Sequence, residues 1–315
     1  MVRYLIRQAL RFSTTLLAVC FLVNLLLNFM PGDPAAIVAG DLATLQQIEM
    51  IRKELRLDQS LTGRYFSWVK DAVRGDFGKS LVNKPGASVV GLIVERLPVT
   101  LQVTGFALLL AALIALPAGV AAAMNRGSWI DQAVTAAGSF IIAIPGFVVG
   151  LVLVDVFAVN YPIFPSAGFV GLAEGGFWEW FSHLLLPALA LAAVPAAEMA
   201  RQTRGAMIDV FEESFIRTAK ASGFPRWLIV AKHAGKAALP PVLIVFGLQA
   251  AFLLSGTIVI EQVFVLPGLG SLAYDAVQIR DVPVIQGVVF MGALIVLTIN
   301  LMVDIALYIF VPKSR

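Results

Sequence analysis

The chain has 315 residues, 59% of them hydrophobic and only 14% charged, with a mean hydropathy of +0.88. A soluble domain carries about 25% charged residues, so this composition excludes one and indicates an integral membrane protein. The net charge of +3 gives no case for nucleic-acid binding, and a single cysteine, Cys20, excludes an intrachain disulfide.

A membrane-crossing helix needs about 20 mostly apolar residues. Six uncharged runs meet or approach that length: Phe12 to Gly32, Leu97 to Asn125, Gln132 to Val154, Trp180 to Ala197, Ala237 to Ile260 and Val282 to Val303. They predict an all-α membrane protein with six transmembrane helices, at about 12–32, 97–125, 132–154, 180–200, 237–260 and 282–310. The first run follows Arg3, Arg7 and Arg11, as a signal peptide would, but exceeds the length of a signal's apolar region and is expected to remain as span 1. Cys20 reads there as a small buried hydrophobe.

After span 1, residues 33–96 form an outer amphipathic segment. Thr44-x-x-Gln47 reads as a capping box opening a short helix with Leu45, Ile48, Ile51 or Arg52, and Leu55 on one side. Tyr65, Trp68, Val69, Ala72 and Val73 fall at helical spacing on a second face. That face suits either the headgroup layer or packing on the protein's own spans. Span 2 places Ala107, Ala111 and Ala115 four residues apart, and span 3 carries Gly146-x-x-x-Gly150, a spacing that lets another helix approach closely. Pro117, Pro145, Pro187 and Pro195 lie within spans and are expected to bend them. A further uncharged run, Val156 to Ala173, contains Pro162, Pro165, Gly168 and Gly171 and reads as a loop.

Charge sets the predicted orientation. Arg3, Arg7 and Arg11, then Arg126, then seven Lys/Arg between Arg201 and Lys236, then Lys313 and Arg315 occupy alternate connections and both ends. The positive-inside rule puts all of them on the cytoplasmic side, N-in and C-in. The connection at 201–236 is more than a retained basic linker: Gly223 fits a left-handed helix end and Pro225 fits the first turn of a second helix. Ala219, Ala221 and Ser222 beside that corner are small, so the segment is read as a protruding knuckle, its tip formed by Ala219, Ser222 and Gly223.

Catalytic and cofactor chemistry finds no foothold. Gly75-Asp-Phe-Gly-Lys-Ser80 lacks the first glycine of a phosphate loop, where Val73 stands instead. His183 and His233 fall on opposite membrane faces in this topology and cannot share a metal. Asp155, Glu198, Glu261 and Asp304 stand near span ends, where they are expected to reach water.

The order of short motifs resembles the permease subunits of binding-protein-dependent ABC importers, in the dipeptide, oligopeptide and nickel subgroup. The similar stretches are Pro31-Gly32-Asp33-Pro34, Leu55-x-Leu57-Asp58-Gln59, Arg74-Gly75-Asp76-Phe77-Gly78-Lys79-Ser80 and Glu95-Arg96-Leu97-Pro98-x-Thr100. In the loop they are Thr218-Ala219-Lys220-Ala221-Ser222-Gly223, Lys232-His233-Ala234 and Leu239-Pro240-Pro241. Beyond it come Glu261-x-Val263-Phe264-x-x-Pro267-Gly268-Leu269-Gly270 and Arg280-Asp281-x-Pro283-x-x-Gln286-Gly287, where Asp281 is also a plausible helix cap. Arg217-Thr218-Ala219 replaces the Glu-Ala-Ala of the wider importer family and looks like the peptide subgroup.

The resemblance implies a type I importer permease in a prokaryotic cytoplasmic membrane, importing di- or oligopeptides, or alternatively nickel or another small solute. It implies a coupling loop at Arg217, Thr218, Ala219, Ser222, Gly223 and Phe224, with Gly146 and Gly150 as helix-packing positions. Implied partners are a second homologous permease, two cytoplasmic ATPase subunits holding ATP and Mg, a solute-binding protein on the outer side, and membrane lipid. The chain itself is expected to hold no cofactor and no metal. A secondary transporter or channel is the alternative class, and would need an intramembrane charge set of its own.

Overall fold

The computed structural model describes residues 2–28, 34–40, 43–54 and 56–310. Residues 31–33, Leu55, Lys313 and Arg315, which carry parts of the motifs and charge pattern above, lie outside them. Among the described residues the regular structure is helical, apart from one isolated bridge between Lys79 and Ser88.

Two compact units are distinguished, Met1–Val99 with Pro267–Leu297, and Thr100–Leu266 with Thr298–Arg315. The first contains α1 (Val2–Asn28), α2 (Pro34–Ala39), α3 (Leu45–Glu54), α4 (Leu61–Val73) and α12 (Leu269–Gln278). Two long helices, α5 (Val89–Met124) and α13 (Val282–Phe310), contribute residues to both units. The α3 capping box forms as its residues dictate: the Gln47 Oε1 accepts from the Thr44 N–H at 2.8 Å, and the Thr44 Oγ1 accepts from the Gln47 N–H at 3.3 Å.

Helix α4 resolves the two readings of its aromatic face in favour of packing on the protein. The Tyr65 hydroxyl donates to the Leu17 carbonyl at 2.8 Å, and Trp68 lies 6.3 Å from Phe77 and 5.8 Å from Phe290 between ring centroids. Val73, the last residue of that spacing, is exposed instead. Around Trp68 and Phe77 a core forms from Val89, Ile93, Leu272, Val284 and Val288.

The second unit adds α6 (Trp129–Ala143), α7 (Gly146–Val154), α8 (Leu172–Glu212), α9 (Ser214–Ala221), α10 (Arg226–Leu228) and α11 (Gly235–Val263). A π turn, Ile229–Ala234, joins α10 to α11, so Arg226–Val263 reads as one long apolar helix. Among the described residues four helices are long and apolar enough to cross a membrane: α5, α8, Arg226–Val263 and α13. A fifth crossing exists if α6 and the helix from Gly146 to Asn160 count as one. Helix α1 contributes a shorter apolar stretch, Leu10–Leu25.

Span 3 is bent at Pro145, as expected of a proline within it. It breaks at Ile144 and Pro145 and turns by 95°, because proline supplies no N–H to the ladder and excludes the helical conformation at the residue before it. Pro187 and Pro195, by contrast, sit inside α8, whose non-helical backbone is confined to Gly176. The run after Val154 is a loop only in part, since Asp155–Asn160 continues α7 as a π turn.

On α5, Val103, Ala107, Ala111 and Ala115 are fully buried while Leu101, Leu109 and Leu113 are exposed. Both faces are apolar, and the outward one demands hydrocarbon or a partner rather than water.

Candidate coupling site

The helix ends around the knuckle lie elsewhere than the charge boundaries implied. Charge ends an apolar run but does not end a backbone ladder, so α8 continues to Glu212, well past Arg201, and the following long helix begins at Arg226, well before Ala237. The segment between them reduces to α9 and the corner after it.

That corner is built as its sequence requires. Gly223 has φ 77°, its N–H donates to the Lys220 carbonyl at 3.1 Å, and the Phe224 N–H donates to the Ala219 carbonyl at 3.3 Å. This paired return is a Schellman ending, which satisfies the last carbonyls of α9 and places a left-handed residue at Gly223. Pro225 stands one position outside the next helix, as its N-cap with ψ 147°, rather than in the first turn.

Ala219 does not belong to the tip. It is buried with Ile216 against Met207, Ala123, Ile229 and Ala234, because it faces inward on a helix whose opposite side carries Arg217, Thr218 and Lys220. The exposed tip is formed by Ala221, Ser222 and Gly223, with Arg217 and Thr218 exposed along the same helix. Phe224 and Trp227 present exposed aromatic surface beside it, and a groove of about 420 Å³ opens among Met124, Phe211, Lys220, Phe224, Arg226 and Val230. Exposed aromatic side chains beside an arginine and a methionine are residue types enriched in protein interfaces.

Behind the corner, charges are paired. Asp131 in the first turn of α6 meets the Arg204 guanidinium on α8, with Nε facing Oδ1 and Nη2 donating to Oδ2 at 2.8 Å. The Gly127 N–H donates to the same Oδ2 at 2.9 Å. The Arg204 hydrogen bond, reinforced by Gly127, holds the Asp131 carboxyl down at about 2, below its ordinary 3.8, and pushes the Arg204 guanidinium up.

The packing glycines face their own chain. A Cβ on Gly150 would lie 3.2 Å from Phe264 and 3.5 Å from the Ala190 Cβ, and one on Gly146 would lie 3.7 Å from the Ala190 carbonyl oxygen. Span 3 thus rests on α8 through the small residues that its sequence spacing singled out.

Motifs that stand apart in sequence are joined in pairs. The Ser80 hydroxyl and the N–H groups of Leu81, Val82 and Asn83 all donate to the Asp281 carboxylate, which is fully buried. Asp281 occupies the cap position before α13, but its side chain serves this loop instead. The Thr100 hydroxyl donates to Glu261 Oε1 at 2.6 Å, and Glu261 is also fully buried, contrary to the expectation that it reaches water. No local pattern announces either pair.

Among the described residues the chain is thus a helical membrane protein with a shaped, exposed corner between two long helices, and comparison with known proteins gives its class. The family described as "Binding-protein-dependent transport system inner membrane component" matches residues 115–315, and its N-terminal companion matches residues 1–104. The glutathione transport system permease protein GsiC of Escherichia coli strain K12 is 38% identical over 315 residues, covering 100% of this chain and 99% of its own. The protein of the same description in Shigella dysenteriae serotype 1 matches to the same extent. Among solved structures, the inward-facing MetNI methionine ABC transporter aligns with TM-score 0.59 at 20% identity, over 70% of this chain and 96% of that one. This chain belongs to the family of binding-protein-dependent ABC importer permeases, whose ATP hydrolysis is carried by partner subunits.

Proposed function

We propose that the chain is a six-span, N-in and C-in permease that imports short peptides, with the corner at Gly223 docking into a groove on a cytoplasmic ATPase. The observation that carries the reading is the corner: a Schellman ending with an exposed small tip, flanked by Phe224, Trp227, Lys220 and Arg226. A basic linker needs only its charges, whereas a docking element needs this shape. On this reading helix α1 and the bent α6–α7 pair make the two further crossings beyond the four long helices, and both ends and the 201–236 segment share one side.

The full complement on this reading is a second, homologous permease, two ATPase subunits that bind ATP and Mg, and an outer solute-binding protein, in a prokaryotic cytoplasmic membrane. The relatives' substrate, glutathione, is itself a small peptide, which favours peptides over nickel for this chain.

The test is reconstitution of the complex in proteoliposomes with the cognate binding protein, followed by uptake of labelled glutathione, a dipeptide, a longer peptide and nickel. ATP-dependent uptake of a peptide supports the reading. Uptake of nickel alone replaces the substrate class, and peptide uptake driven by an ion gradient without ATP overturns the reading.

A further inference from the structure

A motor that displaces the corner moves nothing across the membrane unless the corner is fixed to helices that cross it. Two connections lie behind it. One is apolar: Ile216 and Ala219 of α9 pack with Met207 of α8 and Ala123 of α5. The other is the Asp131–Arg204 pair, whose geometry is unusually complete for a group at a helix start. Asp131 is 5% exposed, accepts from both arms of the Arg204 fork and from the Gly127 N–H, and sits in the first turn of α6, where the helix dipole favours a carboxylate.

The neighbourhood of the pair is tight. A Cβ on Gly119 of α5 would lie 2.7 Å from the Ala200 carbonyl oxygen and 2.8 Å from the Thr203 Cβ, so α5 meets α8 at backbone distance beside Arg204. A second ion pair, Arg126 to Glu212 at 2.6 Å, joins the α5–α6 connection to the end of α8. Both of its side chains are more than 60% exposed, and solvent leaves such pairs little net energy. Asp131 is buried and the Arg204 side chain is 30% exposed, so losing Arg204 leaves a buried carboxylate without its counter-ion, and the Asp131–Arg204 contact is the one that matters.

Its placement gives it a direction of action. Arg204 lies about two turns before the end of α8, which α9 and the corner follow in the chain, and Asp131 opens α6, which leads to the 95° turn at Ile144 and Pro145. Resting on the reading of this chain as an ATP-driven importer permease, we propose that Arg204 and Asp131 form a positioning strut that carries displacement of the corner into α6 and the bent span. The strut sets how tightly ATP hydrolysis on the partner subunits is tied to solute movement.

The experiment uses the whole complex in proteoliposomes, with ATP hydrolysed and labelled solute imported measured together. In Asp131→Asn the ATP consumed per solute is expected to rise by about tenfold or more, and in Arg126→Gln to stay at the parental ratio. The exchange Asp131→Arg with Arg204→Asp is expected to recover part of the coupling. A parental ratio in Asp131→Asn overturns the proposal, as does a parallel loss of hydrolysis and uptake that the exchange does not recover, since that marks a fold element. If Asp131→Asn does not assemble, Arg204→Lys keeps the charge but loses the fork: a raised ratio supports the strut and an unchanged one sinks it. A parental complex without ATP-dependent uptake defeats the functional reading itself, a result distinct from any of these.

Discussion

The Ser80 hydroxyl lies 2.6 Å from the Asp281 carboxylate although 201 residues separate them in sequence. With the three N–H groups of Leu81, Val82 and Asn83, it makes Asp281 the anchor of the whole 80–83 loop. Asp281→Ala leaves buried donors without an acceptor, at about 1–3 kcal/mol for each group that water cannot reach. Ser80→Ala removes one donor to Asp281 and the acceptor of the Lys84 N–H, and is expected to cost about 1–2 kcal/mol. Thermal unfolding in detergent should rank Asp281→Ala well below Ser80→Ala, with faster amide exchange at residues 81–83 in the former. Equal midpoints would show that the loop holds without its anchor.

Glu261 is buried and accepts from the Thr100 hydroxyl, a bond that an amide oxygen can also accept. Glu261→Gln keeps an oxygen for the Thr100 hydroxyl and is expected to retain expression and thermal midpoint closely. Glu261→Leu removes that acceptor from a buried polar contact and is expected to lower the thermal midpoint below that of Glu261→Gln. Parallel melting curves of the two variants check this, and identical curves would contradict it.

The corner separates two kinds of failure. Gly223→Trp strains a left-handed position by about 1 kcal/mol or more and obstructs the tip, so the chain should insert in the membrane but lose its ATPase subunits on copurification and lose uptake. Ala219→Asp puts a carboxylate into the core shared by Ile216 and Met207, and should loosen α9 itself, seen as protease cleavage within 214–221. Normal docking and uptake in Gly223→Trp would remove the corner from the coupling reading.

Asp131 gives a pH prediction with a definite sign. Its folded value, about 2, lies below the ordinary 3.8, so the pair's contribution is complete above the ordinary value and is lost only as pH falls through the folded one. The Asp131 carboxylate should therefore stay ionised at about pH 4. Infrared difference spectra of isotope-labelled aspartate, parental minus Asp131→Asn, measure it directly. A protonated carboxyl signal at that pH would contradict the geometry.

Orientation is open to direct chemistry. In a Cys20→Ala background, a cysteine at Ser222 should react with a membrane-impermeant thiol reagent only in inside-out vesicles, and one at Ser60 only from the opposite side. Reaction at position 222 from the outside would reverse the proposed topology.

What the residues reveal in advance follows from the range of the forces. The Thr44–Gln47 box, the left-handed Gly223 and the break at Pro145 are local, each dictated within a few residues. The inward face of Ala219 needed the positions of Met207 and Ile229, and the Ser80–Asp281, Thr100–Glu261 and Asp131–Arg204 pairs needed the assembled helices. Helix limits were misjudged where charge was the guide. Hydrocarbon rejects Arg201 and Arg226, but a helix ladder accepts both, so α8 and the long helix from Arg226 overrun the apolar runs.

Around Gly223, no heavy atom lies within 4 Å of where a Cβ would point. The bare fold therefore filters an L side chain at this position by backbone sense and not by bulk: an L-alanine is strained in open space, because φ 77° is the torsion that a D-residue prefers. A semisynthetic chain carrying D-alanine at 223 should therefore hold the corner's torsion more readily than one carrying L-alanine.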